Sequence, residues 1–213
     1  MVARPLGGAA YPAQVTSAGP VPPVLPPVGV LLAAGAGRRA GGPKALRRDG
    51  DGPTWVVAGV RTLARGGCSP VIVTVGCRAG EVAAVLAATE SEAPVAVVTV
   101  DDWESGQAAS VRAGLTAAAA TGAPAVVVHL VDLPDVGPEV VRRVLVGADA
   151  SSLHRASYLG RPGHPVVLGR DHLGPVLDSL HGDQGARGHL QQAPGVRLID
   201  CSDLATGDDV DHG

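Results

Sequence analysis

Aromatic residues and clustered positive charge are both scarce in this sequence. Of 213 residues only 2% are aromatic, and phenylalanine is absent. A binding surface of stacked aromatic side chains, as used for single-stranded nucleic acid, is therefore not expected. Lysine and arginine number 17 against 20 aspartate and glutamate residues, and the formal net charge is −3. Because binding to a nucleic-acid backbone needs a basic stripe, we expect no nucleic-acid partner.

Cysteine pairs and long apolar runs are lacking as well. Cys68, Cys77 and Cys201 form neither a CxxC pair nor a zinc-ligand spacing, so we expect free thiols. No run approaches the roughly 18 apolar residues of a membrane-spanning helix. Proline interrupts the apolar stretches near the N-terminus, unlike the pattern of a signal peptide. These features favour a cytoplasmic protein with no membrane partner.

The composition divides the chain into two segments. Residues 1–27 contain seven prolines separated mainly by small and apolar residues, which predicts a flexible, extended leader. Residues 28–213 are expected to form a single domain. The 46% of hydrophobic residues is enough for one aliphatic core, and the length is short for two.

From residue 28 onward, short apolar runs alternate with helix-like segments. Short runs made almost wholly of apolar residues are typical of strands covered on both faces, and they occur at 28–34, 71–75, 95–100 and 125–131. Helices are expected at 55–65, 81–89, 107–120, 138–146 and 171–180, further strands at 153–159 and 196–201, and a loop at 160–165. The alternation predicts a Rossmann-like three-layer α/β/α sandwich with a mostly parallel sheet. Its ligand should lie at the carboxyl ends of the strands.

The segment after the first strand has the composition of a phosphate-binding loop. Gly35 and Gly37 allow the backbone to approach a ligand closely and to turn its amides toward an anion. Arg39 and Lys44 add positive charge suited to phosphate oxygens. A glycine-rich turn with solvated cations is the alternative interpretation.

Two better-known phosphate-binding motifs fit this segment less well. The dinucleotide fingerprint GxGxxG requires its third glycine one residue before Gly41, and no acidic ribose-binding residue ends the second strand. A P-loop requires serine or threonine after its lysine, and Ala45 stands there. These mismatches disfavour hydride transfer with a nicotinamide dinucleotide and a P-loop enzyme.

An aspartate directly follows the fourth predicted strand. A carboxylate at this end of a strand points toward the ligand crevice of an open α/β sheet, which is where Asp132 is placed. One or two carboxylates together with nucleotide phosphates commonly hold Mg²⁺. Asp132 is therefore a candidate metal ligand, with a helix N-cap as the alternative.

Residues 32–44, LAAGAGRRAGGPK, resemble the signature LAAGxGxRxGxxK of nucleotidyltransferases. The family indicated is the MobA-like NTP transferases, and the similarity is greatest to molybdenum cofactor cytidylyltransferase-like members. Ala40 departs from the signature, where methionine or phenylalanine is usual. In these members LAAG accompanies cytidine, so Ala34 favours CTP. The resemblance implies that the nucleotide is bound by Leu32, Ala33, Ala34, Gly35, Gly37, Arg39, Lys44 and Ser110.

The same family resemblance assigns the other site residues. Asp132 stands in the DxP motif that binds the metal, and with Arg39 and Lys44 it would be catalytic. Trp103, which the resemblance makes a candidate substrate contact, and Ser110 match the segment WxxGxxxSxxxGL, whose small residues could equally pack a helix. Residues 160–165 resemble the family motif GxPGHP, residues 182–187 resemble GDxGAR, and residues 208–211 resemble the start of the closing DIDTPED element. They make Arg161, His164 and Arg187 candidate substrate contacts, Asp183 a possible cap of a helix at 185–192, and Asp209 or Asp211 a second metal ligand or part of an acidic tail.

The resemblance implies transfer of a nucleoside monophosphate from an NTP to a small phosphorylated acceptor, with Mg²⁺ as cofactor and release of pyrophosphate. CTP is the favoured donor, and molybdopterin is one candidate acceptor. A guanylyltransferase or a sugar-phosphate nucleotidyltransferase would use the same loop. A non-catalytic nucleotide-binding module is the alternative outside enzymes, and it would bind nucleotide without releasing pyrophosphate.

Overall fold

The computed structural model describes residues 25–38 and 41–210. Within them the strands are β1 (Val28–Ala33), β2 (Val71–Val75), β3 (Val95–Thr99), β4 (Ala125–Leu130), β5 (Leu153–Tyr158), β6 (Arg161–Gly169) and β7 (Arg197–Asp200). The α-helices are α1 (Trp55–Arg65), α2 (Ala79–Ala87), α3 (Gln107–Ala119), α4 (Pro138–Leu145), α5 (Leu173–Ser179) and α6 (Arg187–Gln192). Most of the predicted leader lies outside the described residues, as do Arg39, Ala40 and Asp211. No helix of the described part is long and apolar enough to cross a membrane.

Over the described residues one sheet forms, in the order β3-β2-β1-β4-β6-β5-β7. Strand β6 runs antiparallel to β4 and β5, and the other neighbouring strands pair in parallel. The inner strand β1 is buried along its whole length, as expected for an apolar strand with helices on both faces. The predicted α/β fold with a mostly parallel sheet is confirmed.

Two aliphatic cores cover the two faces of the sheet. On one face α1, α2 and α4 pack with side chains such as Leu31 and Val127, and on the other α3 and α5 pack with side chains such as Val30 and Val126. A Cβ added at Gly114 in α3 would lie 2.5 Å from Cγ1 of Val30. The small residue therefore allows α3 to lie close to β1. This is the packing role that the sequence offers as the alternative for the small residues of this helix.

The predicted loop at 160–165 is wrong, because most of it belongs to strand β6. Tyr158 pairs with Arg161 across a two-residue turn, in which both connecting residues have positive φ. Only the later part of β6, from Val166 onward, pairs with β4. The prolines at 162 and 165 thus lie where β6 has a partner on one side only, and a missing amide proton is tolerated there.

The helix expected at 185–192 begins at Arg187 instead. Its N-cap residue is Ala186, and no side chain hydrogen-bonds to the cap. Asp183 lies in a short 3-10 turn, Gly182–Gln184, before that helix. The expectation that Asp183 caps the helix is therefore wrong.

Candidate active site

The carboxyl ends of β1 and β4 meet at one edge of the sheet. Beyond the last paired residues, the Val131 amide donates to the Leu32 carbonyl oxygen at 3.2 Å. This bond places the loop after β1 beside the loop after β4, at the position where open α/β sheets bind ligands. A cavity of about 580 Å³ opens here, hereafter the cradle cavity, lined by the loop at 34–38, Lys44, Trp103, Ser110, Asp132, Asp183 and neighbouring residues.

The two glycines of the loop have different structural environments. Gly37 has φ of 57°, and a Cβ there would lie 1.9 Å from the carbonyl oxygen of Gly42. The Gly42 amide also donates to the Gly37 carbonyl oxygen at 3.2 Å, which closes the loop on itself. A Cβ at Gly35, by contrast, would meet nothing within 4 Å among the described residues. Gly37 therefore fixes the shape of the loop, and Gly35 leaves room beside it.

Lys44 and Asp132, 88 positions apart in sequence, meet at the cradle cavity. The Lys44 Nζ lies 3.0 Å from Oδ2 of Asp132, and their side chains are 15% and 22% exposed. The site thus presents a cation suited to phosphate oxygens and a carboxylate suited to a metal ion at the same point. Of the predicted catalytic residues, the structure brings these two together, and Arg39 lies outside the described residues.

The C-terminal segment passes next to Asp132. The Val210 amide donates to the Asp132 carbonyl oxygen at 3.1 Å. Asp209 is exposed, and Asp211 lies outside the described residues. Within residues 25–38 and 41–210 no group of three or more His, Cys, Asp or Glu side chains could hold a metal ion. The role of Asp211 as a metal ligand stays a prediction.

Asp135 fixes this C-terminal segment. Its Oδ2 accepts hydrogen bonds from the Thr206 amide at 2.7 Å, the Thr206 hydroxyl at 2.7 Å and the Gly207 amide at 3.3 Å. Arg161 forms an exposed ion pair with Asp208 at 3.2 Å. Arg161 is absent from the lining of the cradle cavity, and the structure places it against the C-terminal segment. Its predicted contact with substrate is not tested by this position.

Trp103 and Ser110 both line the cradle cavity. A Cβ at Gly76 would lie 2.5 Å from Cγ of Trp103, so this glycine allows the indole to pack on the backbone after β2. Ser110 is buried on α3. At the rim, Arg38 pairs with Glu104 at 3.1 Å. Arg38 was not predicted from the sequence, although it lies in the same basic loop as Arg39.

A second cavity of about 660 Å³ adjoins the first and is called here the acceptor cavity. The two share Leu32, Gln107, Leu130 and Asp183 in their linings. His164 and Arg187, both expected at the site, line the acceptor cavity together with Arg155, which was not predicted from the sequence. The sequence LHRASY of β5 gives no signal of this position, because an arginine in a strand normally faces solvent.

Two histidines near the site are uncharged at neutral pH. Burial is the main factor that lowers the pKa of His164, to about 3, and the nearby His129 and Arg155 lower it further. His129 is fully buried on β4, and burial lowers its pKa to about 4 despite the nearby carboxylates of Asp132 and Asp135. The His164 carbonyl oxygen accepts a hydrogen bond from the Tyr158 hydroxyl at 2.7 Å. A proton held by His164 is therefore not available for acid catalysis near neutral pH.

Comparisons with known proteins bear on the family of the chain. The model of the MobA-like NTP transferase domain matches residues 29–197. Nicotine blue oxidoreductase from Paenarthrobacter nicotinovorans is 41% identical over 192 residues, which are 86% of this chain and 91% of that protein.

Solved structures show the same likeness. A nucleotidyl transferase from Methanothermobacter thermautotrophicus has a TM-score of 0.72 at 27% identity, covering 87% of this chain and 91% of its own. Rv0371c from Mycobacterium tuberculosis has a TM-score of 0.68 at 29% identity, covering 89% and 94%. Its structure in complex with manganese matches with a TM-score of 0.62 at 30% identity, covering 83% and 88%. The chain belongs to the MobA-like NTP transferase family, and its fold and family make it a nucleotidyltransferase.

Proposed function

We propose that this enzyme transfers CMP from CTP to a small phosphorylated acceptor, with Mg²⁺ bound at Asp132 and pyrophosphate released. The observation that carries the proposal is the meeting of Lys44 Nζ and Asp132 Oδ2, 3.0 Å apart, beside the glycine loop. A positive group for the leaving pyrophosphate and a carboxylate for a divalent cation are the two charges that nucleotidyl transfer needs at one point.

The chain itself would act mainly by positioning and charge. Loop amides at 34–37 and the ammonium of Lys44, together with Arg39, would hold the β- and γ-phosphates. An oxygen of the acceptor phosphate attacks the α-phosphorus, and the bond from that phosphorus to the oxygen bridging to the β-phosphate breaks. The electron pair leaves with pyrophosphate. No protein nucleophile is required, because the two substrates react directly when they are aligned.

The residues present fit a divalent cation. Asp132 offers carboxylate oxygens beside the loop, and in the structure it already attracts a cation, the Lys44 ammonium. When bound, Mg²⁺ would supply positive charge against the negative phosphate oxygens. Rv0371c has been solved in complex with manganese, which supports a divalent metal in this family. Asp132, joined by Asp211, is the proposed ligand set.

The proposal also specifies the base of the nucleotide and the acceptor. Ala34, which is buried and lines the cradle cavity, stands in the LAAG sequence that accompanies cytidine in similar family members. Molybdopterin is the acceptor that those members suggest. A guanylyltransferase or sugar-phosphate nucleotidyltransferase is the alternative within the same reaction type.

A second candidate function comes from the 41% identical relative, whose name describes an oxidoreductase. The same glycine loop could hold the pyrophosphate of a nicotinamide dinucleotide. This alternative predicts hydride transfer without an added metal ion and without pyrophosphate release. The two candidates therefore differ in metal dependence and in product.

The test is pyrophosphate release from CTP, GTP, ATP and UTP with Mg²⁺, with and without molybdopterin. We expect release from CTP that depends on the acceptor and on the metal. Arg170→Gln is a control variant, because the Arg170 side chain donates to the Gly122 and Ala123 carbonyls and lines neither cavity. Nucleotide binding with no release from any of the four would contradict the proposal for this acceptor. Metal-independent oxidation of NADPH would favour the second candidate.

A further inference from the structure

The floor of the acceptor cavity is aliphatic. Alternate residues on one face of the sheet form it, namely Leu32, Val128, Leu130, Val166 and Leu168. Every one of these side chains is a branched hydrocarbon, and α3 contributes Val111 to a wall. Such a surface covers the carbon skeleton of a ligand and offers it no hydrogen bonds. Amide side chains at the edge, such as Gln107, can donate and accept.

Two arginines provide the positive charge of this cavity. Arg155 on β5 is half-buried, and its Nε donates to the Gly163 carbonyl oxygen at 2.9 Å. A second contact, to the Pro162 carbonyl oxygen, is 3.4 Å long. Because a guanidinium has five N–H donors, these bonds orient Arg155 and leave donors for a ligand. Arg187, the first residue of α6, lines the same cavity.

Within the described structure the two arginines are not paired with a carboxylate, although Asp183 also lines the cavity. In the described part of the chain, neither Arg155 nor Arg187 takes part in an ion pair with a carboxylate. Burial and the neighbouring charge of Arg187 both lower the pKa of Arg155, although a guanidinium stays charged at neutral pH. Two like charges held next to each other in a partly buried cavity are stabilised by an anion placed between them.

We propose that Arg155 and Arg187 bind the phosphate of the acceptor, and that the acceptor is a phosphate monoester whose body presents an apolar face to the aliphatic floor. A phosphate monoester carries a charge of about −1.5 to −2 near neutral pH, which matches two guanidinium groups better than a single carboxylate does. The aliphatic floor would cover the body. The proposal rests on the proposed function, since it identifies the second substrate of that reaction by class. Arg155 is assigned here as a substrate-binding residue.

The experiment uses phenyl phosphate as the probe and measures its binding to the full chain by calorimetry, without CTP. We expect binding to weaken at least about tenfold in Arg155→Gln and in Arg187→Gln, since each removes a charge-assisted contact. Arg170→Gln is the control, because Arg170 also donates to two backbone carbonyls but lies away from both cavities. Lys44→Gln shows whether the probe occupies the cradle cavity instead.

Every outcome either supports or overturns the proposed binding of a phosphate monoester. Unchanged binding in the Arg155 and Arg187 variants, loss in Lys44→Gln alone, or no binding to the native chain would overturn the proposal. Equal binding of benzoate would overturn the choice of a phosphate over a carboxylate. If Arg155→Gln disturbs the fold, as circular dichroism would reveal, Arg187→Gln and Arg155→Lys still test it, with the lysine variant expected to bind more weakly than the native chain. Because the assay involves no turnover, its result is independent of whether CMP transfer is observed.

Discussion

Alanine substitutions at Gly35 and Gly37 distinguish an effect on the shape of the loop from an effect on the space available to the ligand. At Gly37 the left-handed backbone conformation itself costs an alanine about 1 to 2 kcal/mol. A Cβ there would also lie 1.9 Å from the Gly42 carbonyl oxygen, so that the loop must open. At Gly35 the added methyl group meets nothing within 4 Å in the described structure and would project into the space proposed for the phosphates.

We therefore expect Gly35→Ala to change the free energy of unfolding by less than about 0.5 kcal/mol, as for a substitution without contacts. Its affinity for CTP should fall at least about tenfold, equivalent to about 1.4 kcal/mol, because the methyl group occupies ligand space. Gly37→Ala should lose both CTP binding and about 1 kcal/mol or more of stability. Urea denaturation and calorimetric titration with CTP measure the two quantities. Native CTP affinity in Gly35→Ala would refute the placement of the phosphates.

Three further predictions concern the residues around β4. Asp132→Ala should abolish pyrophosphate release and retain the native circular dichroism spectrum, whereas retained activity would rule out Asp132 as metal ligand. The pKa of His129 is lowered from 6.5 to about 4 in the folded state, so the unfolded state binds more protons between these values. The free energy of unfolding should accordingly fall by up to about 3 kcal/mol as the pH drops through this interval, and His129→Leu should remove this component, as urea denaturation at several pH values would measure. Asp135→Ala should release the segment at 206–207, detected as faster amide hydrogen exchange at Thr206 and Gly207, and unchanged exchange would contradict its role.

The central part of the fold could be predicted from sequence because its signals are local. Short, mainly apolar runs identified β1, β2 and β4, and the rule that ligands bind at the carboxyl ends of strands placed the glycine loop near Asp132. The ion pair between Lys44 and Asp132 follows from that topology. The parallel pairing of β1 with β4 is enough to bring Lys44 and Asp132 together.

The less predictable part depends on pairing between distant segments. The prolines of β6 indicate a loop when the sequence is considered alone. They are compatible with a strand because β4 pairs only with the later half of β6 and leaves the part that contains the prolines with a partner on one side. Arg155 gives no local sign of its role, since an arginine in a strand normally faces solvent. It lines a cavity here because α6 and the strand floor surround it. Arg161, one turn away in the same hairpin, pairs with the tail instead.

The fate of the α-phosphate tests the proposed CMP transfer most directly. CTP labelled at the α-phosphate would be incubated with the enzyme, Mg²⁺ and the acceptor, in parallel with CTP labelled at the γ-phosphate. We predict that the α-label appears in the acceptor product and the γ-label in pyrophosphate, and that Asp132→Ala shows neither transfer. Transfer of the γ-label to the acceptor, or full transfer of the α-label by Asp132→Ala, would contradict this mechanism.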